Sequence, residues 1–120
     1  MAQYVDGFVI PLAKDRVKDY QRIAKKAAKI WLEHGALEVR ECVGDDLVAK
    51  MGIPFAKLTK LKPGETVVFS WIVYPSRSRR DKVNARVMKD PRITAMCDPK
   101  DMPFDCGRMS YGGFKTLVAE

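Results

Sequence analysis

The fold class predicted for this 120-residue chain is α+β: a ferredoxin-like sandwich in the order strand, helix, strand, strand, helix, strand, with a four-stranded antiparallel sheet. Three observations predict it. A helical period of apolar residues runs from about Asp15 to His34 between two stretches of strand character. Thr66 to Tyr74 is apolar on both faces, with no charge among its nine residues. A second helical stretch and a proline-interrupted link then lead to one more strand at the carboxyl end.

The first strand spans Tyr4 to Leu12 and is ended by Pro11, with Tyr4, Asp6, Phe8 and Ile10 on one face and Val5, Gly7 and Val9 on the other. In the helix that follows, Val17, Tyr20, Ala24, Ala27 and Trp31 recur at spacings of three and four. Lys18, Arg22, Lys25, Lys26 and Lys29 occupy the opposite side. Asp15 is the expected N-cap, and Gly35 takes the positive-φ position that ends such a helix. Ala36 to Cys42 alternates Leu37, Val39 and Glu41 with Glu38, Arg40 and Cys42, the pattern of an outer strand with one wetter face.

Residues 43–65 contain three Gly and two Pro and lack sustained periodicity, so they read as a long connection with one helical turn near Phe55 to Leu58 and a final turn at Pro63 and Gly64. Thr66 to Tyr74 is the strongest strand, rich in β-branched and aromatic residues, and must be central. Pro75 closes it. Ser76 or Ser78 caps the second helix, whose apolar face is Val83, Val87 and Met88. Asp90 and Pro91 mark its end, with Pro91 starting a short extra turn. After Pro99 and Pro103, the last strand runs from Arg108 to about Val118, with a bulge expected at Gly112 and Gly113.

At 47% apolar residues the chain supports one core, hence a single domain over residues 1–120. Its longest apolar run falls far short of the roughly 20 residues of a membrane span, and no secretory signal pattern opens the chain, so the expected address is the cytoplasm. Three cysteines, Cys42, Cys97 and Cys106, at wide spacing and without CxxC, fit reduced thiols. With His34 as the one histidine, no metal site is expected, and no cofactor either. The net charge of +7 is a weak pointer to anionic partners.

Several strings occur together in order: Tyr4-Val-Asp-Gly-Phe8, Val68-Phe-Ser-Trp71 with Tyr74-Pro-Ser76, Asp90-Pro-Arg92, Met102-Pro-Phe-Asp105, and Arg108-Met-Ser-Tyr-Gly-Gly-Phe114. They resemble, along nearly the whole chain, the bacterial DUF1428 family of unknown function. That resemblance implies a dimeric α-β barrel in which two ferredoxin-like subunits pack sheet against sheet. The residues lead to the same expectation independently: the helices cover one sheet face, and a doubly apolar strand leaves a large apolar patch on the other for a second copy to bury.

The candidate functional or buried polar residues are Asp6, Glu41, Ser70, Asp105, Arg108 and Tyr111, which strands carry into or beside the interior. Asp6 is expected to pair with Arg108, either as a strut fixing strand register or as an anion-holding element in a pocket. The strut is the favoured reading, because structural pairs perturb their surroundings as catalytic ones do. Asp105, before Cys106 and Gly107, is expected to accept backbone N–H groups in a tight turn. Cys42 and Cys106 are read as small packing residues, and His34 as a neighbour of the helix C-terminus. Trp71, Tyr74, Tyr111 and Met109 are candidates for the wall of a small-molecule pocket between sheet and helices, or equally for core.

The alternatives are RNA binding and a non-catalytic dimer module. An RNA-recognition domain shares this element order and stacks bases on aromatics of its central strands, a layout that Phe69, Trp71, Tyr4 and Phe8 imitate. The Lys/Arg-Gly-aromatic signature is missing from Thr66 to Tyr74, and sheet-to-sheet pairing would hide that face, so nucleic acid ranks below a small molecule. The run Arg77-Ser-Arg-Arg80 and the basic helix face read as solvated surface.

Overall fold

The computed structural model describes residues 2–48 and 50–120. Its strands are β1 (Tyr4–Ala13), β2 (Glu38–Val43), β3 (Glu65–Tyr74) and β4 (Ser110–Lys115). Its helices are α1 (Val17–Glu33), the single turn α2 (Phe55–Leu58), α3 (Arg77–Met88) and α4 (Pro91–Met96), with 3-10 turns at Lys14–Arg16 and Cys106–Arg108. The sheet is antiparallel in the order β2-β3-β1-β4, so the two most apolar strands are central, as a ferredoxin-like fold requires.

Strand β1 does not stop at Pro11. It continues to Ala13, with Pro11 opposite Val67 of β3. The pairing with β4 ends at Val9, so beyond that point one edge of β1 has no neighbour to serve, and proline's missing N–H costs nothing there. The expected bulge at Gly112 and Gly113 is also absent. Both residues sit in unbroken register opposite Gly7 and Asp6. Gly113 has a packing reason instead: a Cβ there would fall 2.7 Å from Cε2 and 2.9 Å from Cζ of the Tyr4 ring. Strand β4 is shorter than expected at both ends: Cys106–Arg108 forms a 3-10 turn before it, and it stops at Lys115, opposite Tyr4, where β1 begins.

Asp15 is not the N-cap of α1. The chain enters the helix through the 3-10 turn, and the N-cap position falls to Arg16, without a side-chain cap. At the other end, Gly35 at φ 121° donates its N–H to Leu32 O (3.2 Å) and Ala36 donates to Trp31 O (3.0 Å). That pair of bonds satisfies two of the last carbonyls of the helix, and the positive φ is why glycine stands there. Ser76 caps α3 by accepting from the Arg79 N–H at 3.3 Å. Asp90 caps α4, with Pro91 at its first position.

Helices and sheet share two apolar clusters. Ile30, Ile72, Tyr74, Val83, Val87 and Ile93 form one; Ile10, Leu12, Tyr20, Ala24 and Val68 form the other. All of these strand residues lie on the face bearing Asp6, Phe8 and Ser70. The second face carries Val5, Val9, Phe69, Trp71, Val73 and Phe114; among the described residues only the single turn α2 touches it, its Phe55 ring edge-on to Phe69 at 6.2 Å between centroids, and Phe69 is still 44% and Phe114 60% exposed. The sheet is thus apolar on both faces, with one face covered inside the chain.

Candidate functional site

A cavity of about 540 Å³ lies between the helix-covered sheet face and α1, α3, α4 and residues 102–109. Alternation along the strands decides which polar groups reach it. Asp6 (β1), Glu41 (β2), Ser70 (β3) and Tyr111 (β4) project to this side, and all four contribute to its wall. Tyr20 and Trp31 reach it from α1, Asn84 and Met88 from α3, and Phe104 and Met109 from the following segment.

Two polar centres interrupt the apolar wall. At the first, Asp6 is 1% exposed and accepts a long hydrogen bond from the Asn84 side-chain amide at 3.4 Å. The Asn84 carbonyl oxygen in turn accepts from the Tyr74 hydroxyl (3.1 Å) and the Trp31 indole N–H (3.3 Å). The Arg80 guanidinium stands behind Asp6 at 3.4 Å, lying over the Tyr4 ring at 4.8 Å from its centroid and donating to the Tyr111 hydroxyl at 3.2 Å. Burial raises the Asp6 pKa above the ordinary carboxylate value, against the opposing pull of Arg80, Asn84 and Tyr74. Among the described residues Asp6 Oδ1 and Arg80 Nε are buried without a hydrogen-bond partner, Nε lying 3.1 Å from the Asp81 carboxylate and not directed at Asp6, so the Asp6–Arg80 pair is loosely made.

At the second centre the Tyr20 hydroxyl donates to Glu41 Oε1 at 2.6 Å, beside the Ser70 hydroxyl on the neighbouring strand. The Tyr20 ring is braced edge-on by Phe104, 5.7 Å between centroids. Glu41 as a residue is exposed along the sheet edge, but its carboxylate is crowded by the cavity wall. Desolvation there raises its pKa, opposed by the Tyr20 and Ser70 hydroxyls, and burial beside that carboxylate pushes the Tyr20 phenol up as well.

The expected partnership of Asp6 with Arg108 does not form. Arg108 grips Glu65 through two bonds, Nη1 to Oε2 at 2.7 Å and Nη2 to Oε1 at 2.8 Å, at the start of β3. The 3-10 turn places Arg108 before β4 begins, beyond the last β1–β4 pair at Val9 and Ser110, well along the sheet from Asp6. Asp105 accepts from the Gly107 N–H at 2.9 Å, the turn role expected of it. Trp71 is not in the cavity: it shares the open face with Val5 and Phe114, and its indole donates to Glu38 Oε2 at 2.9 Å. Tyr74 is fully buried behind the wall as a donor to Asn84, and Met109 does line the cavity. Cys42 and Cys106 are exposed, not packed, and Cys97 is exposed too. His34 occupies the C-cap of α1 as expected and adds a contact with the Asp90 carboxylate at 2.8 Å.

Arg80, Asn84 and Tyr20 are the site residues that sequence reasoning missed. Tyr20 keeps the apolar period of α1 and so reads as core. Arg80, Asn84 and Met88 stand four residues apart on α3, a spacing that puts them in one row facing the sheet, and that row was the available signal. Among the described residues no group of three or more His, Cys, Asp or Glu side chains comes together to hold a metal, and no helix is long and apolar enough to cross a membrane.

The family model described as "Protein of unknown function (DUF1428)" matches residues 3–106. The uncharacterized protein YbaA of Escherichia coli strain K12 is 42% identical over 118 residues, covering 98% of this chain and 99% of that protein; the Shigella flexneri YbaA matches equally. Among solved structures, a putative antibiotic biosynthesis monooxygenase from Nitrosomonas europaea superposes with a TM-score of 0.60 at 12% identity, covering 97% of this chain and 91% of that one. A NIPSNAP domain protein from Burkholderia xenovorans gives 0.57 at 19% identity, with coverages of 98% and 94%. A dimeric ferredoxin-like protein from an uncultured marine organism gives 0.54 at 12%, with coverages of 100% and 98%. At these identities the structural likeness bears on the fold alone.

Proposed function

We propose that this chain, which belongs to the DUF1428 family, is a bacterial, cytoplasmic homodimer that binds a small, largely apolar molecule between sheet and helices. The division of labour between the two sheet faces carries the reading. The open face, with Phe69, Trp71 and Phe114, has the apolar character of an interface core, and a second copy is the occupant it fits. The other face closes over a cavity whose volume lies within the usual range for small-molecule sites, roughly 300–1,000 Å³. That cavity is walled by aromatic and thioether side chains with a few convergent polar groups, the composition of a ligand site.

Binding is placed ahead of catalysis. Asp6 and Glu41 both have raised pKa values, as acid–base groups do, but burial against the wall is the cause in each, and their hydrogen-bonding neighbours oppose it, so the shifts are those of structural polar groups. The fold neighbour named as a putative monooxygenase keeps an enzyme reading open by analogy only.

The chain has two tryptophans, of which Trp31 borders the cavity and Trp71 lies on the far face. A Trp71→Phe variant therefore reports on the cavity through Trp31 alone. Titration with 3-phenylpropanol is expected to give a saturable change in its emission. The same titration in an added Ala28→Phe background, which fills the cavity from α1, is expected to give none while the circular dichroism is retained. An absent or non-saturable response, or one unchanged by Ala28→Phe, contradicts the reading.

A further inference from the structure

We propose that the cavity is selective for an organic cation: an ammonium group carried on an apolar body, seated at Glu41 with the body directed inward past Tyr20 and Phe104. The inference rests on the reading of the cavity as a ligand site and adds the chemical class of the ligand.

The wall charge is the first argument. The chain carries 22 Lys and Arg against 15 Asp and Glu, yet its cavity wall holds two carboxylates, Asp6 and Glu41, and no Lys, Arg or His. A basic protein has here a wall of the opposite sign. An anionic ligand would meet the like charge of Glu41, whereas a cation would gain from the same field.

The two carboxylates then differ in what balances them. Asp6 has Arg80 behind it at 3.4 Å and Asn84 in front. For Glu41, no basic side chain lies within ion-pair distance among the described residues. A carboxylate has about four acceptor sites; the Tyr20 hydroxyl uses one and the adjacent Ser70 hydroxyl at most another, so acceptor capacity remains for an incoming N–H. The Tyr20 bond and the bracing of that ring by Phe104 also hold the carboxylate in place before a ligand arrives, which lowers the ordering cost of binding.

Position supplies the orientation. Glu41 belongs to the outer strand β2 and is exposed along the sheet edge, whereas Asp6 is 1% exposed, so of the two wall carboxylates Glu41 is the one nearer water. Asp6 lies two strands across and two residues along, which standard strand spacings convert to about 12 Å between Cα atoms. A ligand with its charged head at Glu41 keeps that head near water, while its apolar part follows the Met and aromatic wall inward. Tyr20 and Phe104, both in that wall, give the apolar body aromatic contact.

The test is calorimetric titration at pH 7 of the full chain and its Glu41→Gln variant with three probes sharing one apolar body: 3-phenylpropylamine, 3-phenylpropanol and 3-phenylpropanoate. The substituted amide still offers an oxygen to Tyr20 at an exposed edge position, so the variant keeps its fold. The expected result is amine bound about tenfold or more tighter than alcohol, a factor of the size a charge-assisted hydrogen bond supplies. The carboxylate is expected to be weakest, and Glu41→Gln to bring the amine to within about twofold of the alcohol. Equal binding of amine and alcohol, or an amine advantage that survives Glu41→Gln, overturns the assignment and leaves the cavity reading standing. Failure of all three probes to bind overturns both.

Discussion

Replacing Glu65 by Gln should destabilise the protein in a way that disappears in acid. Glu65 opens β3 and accepts both Arg108 bonds, at 2.7 and 2.8 Å, together with the Lys62 backbone N–H at 2.8 Å. The hydrogen bonds from Arg108, and next that from Lys62, hold its carboxyl at about 2 against an ordinary 4.5. That difference corresponds to roughly 3 kcal/mol of stabilisation as an upper bound. The side chains are 14% and 23% exposed, so water screens the pair and about 1–2 kcal/mol is the expected effect. The folded pKa is depressed, so the contribution is fully present above pH 4.5 and is lost as pH falls towards 2. Urea unfolding of parent and Glu65→Gln at one protein concentration should show the parent ahead by that margin at pH 7, with the gap closing between pH 4.5 and 2. A gap that persists unchanged at the acid end, or none at pH 7, refutes the reasoning.

Two backbone-level predictions accompany it. Gly113→Ala drives a methyl into the Tyr4 ring and should cost roughly 1–3 kcal/mol, whereas Gly112→Ala, whose nearest neighbour is Phe114 at 3.7 Å, should cost less than about 1; equal losses in chemical denaturation would remove the packing explanation. Ser76→Ala deletes the N-cap of α3 and should cost about 1 kcal/mol by the same assay, and Ser78→Ala should cost distinctly less, because Ser76 is the residue that accepts from Arg79.

The element order was legible because each element carries its own period: three and four in α1, two in β2, and an uncharged run in β3 that only a central strand accommodates. The same run announced that both sheet faces are apolar. Pairings between elements were not legible. Asp6 meets Arg80 and not Arg108 because α3 crosses over β1 and because Cys106–Arg108 tightens into a 3-10 turn, and neither fact is written in local periodicity. Trp71 illustrates the cost of a one-residue parity: with Ser70 facing the cavity, the tryptophan beside it had to face away. The Tyr20–Glu41 contact joins residues 21 apart whose partnership depends on where α1 settles on β2. Pro11 and Gly112–Gly113 read locally as breaks, and the strand pairing overrides both.

The most direct test of the account is the solution mass, by light scattering, of the parent chain beside Phe114→Glu. Phe114 is 60% exposed on the open face, so a glutamate there leaves the interior of one subunit intact. A dimeric parent and a monomeric, folded Phe114→Glu are the predicted result. A parent that is monomeric and soluble with its aromatic sheet face uncovered would contradict the account and restore that face to the RNA reading.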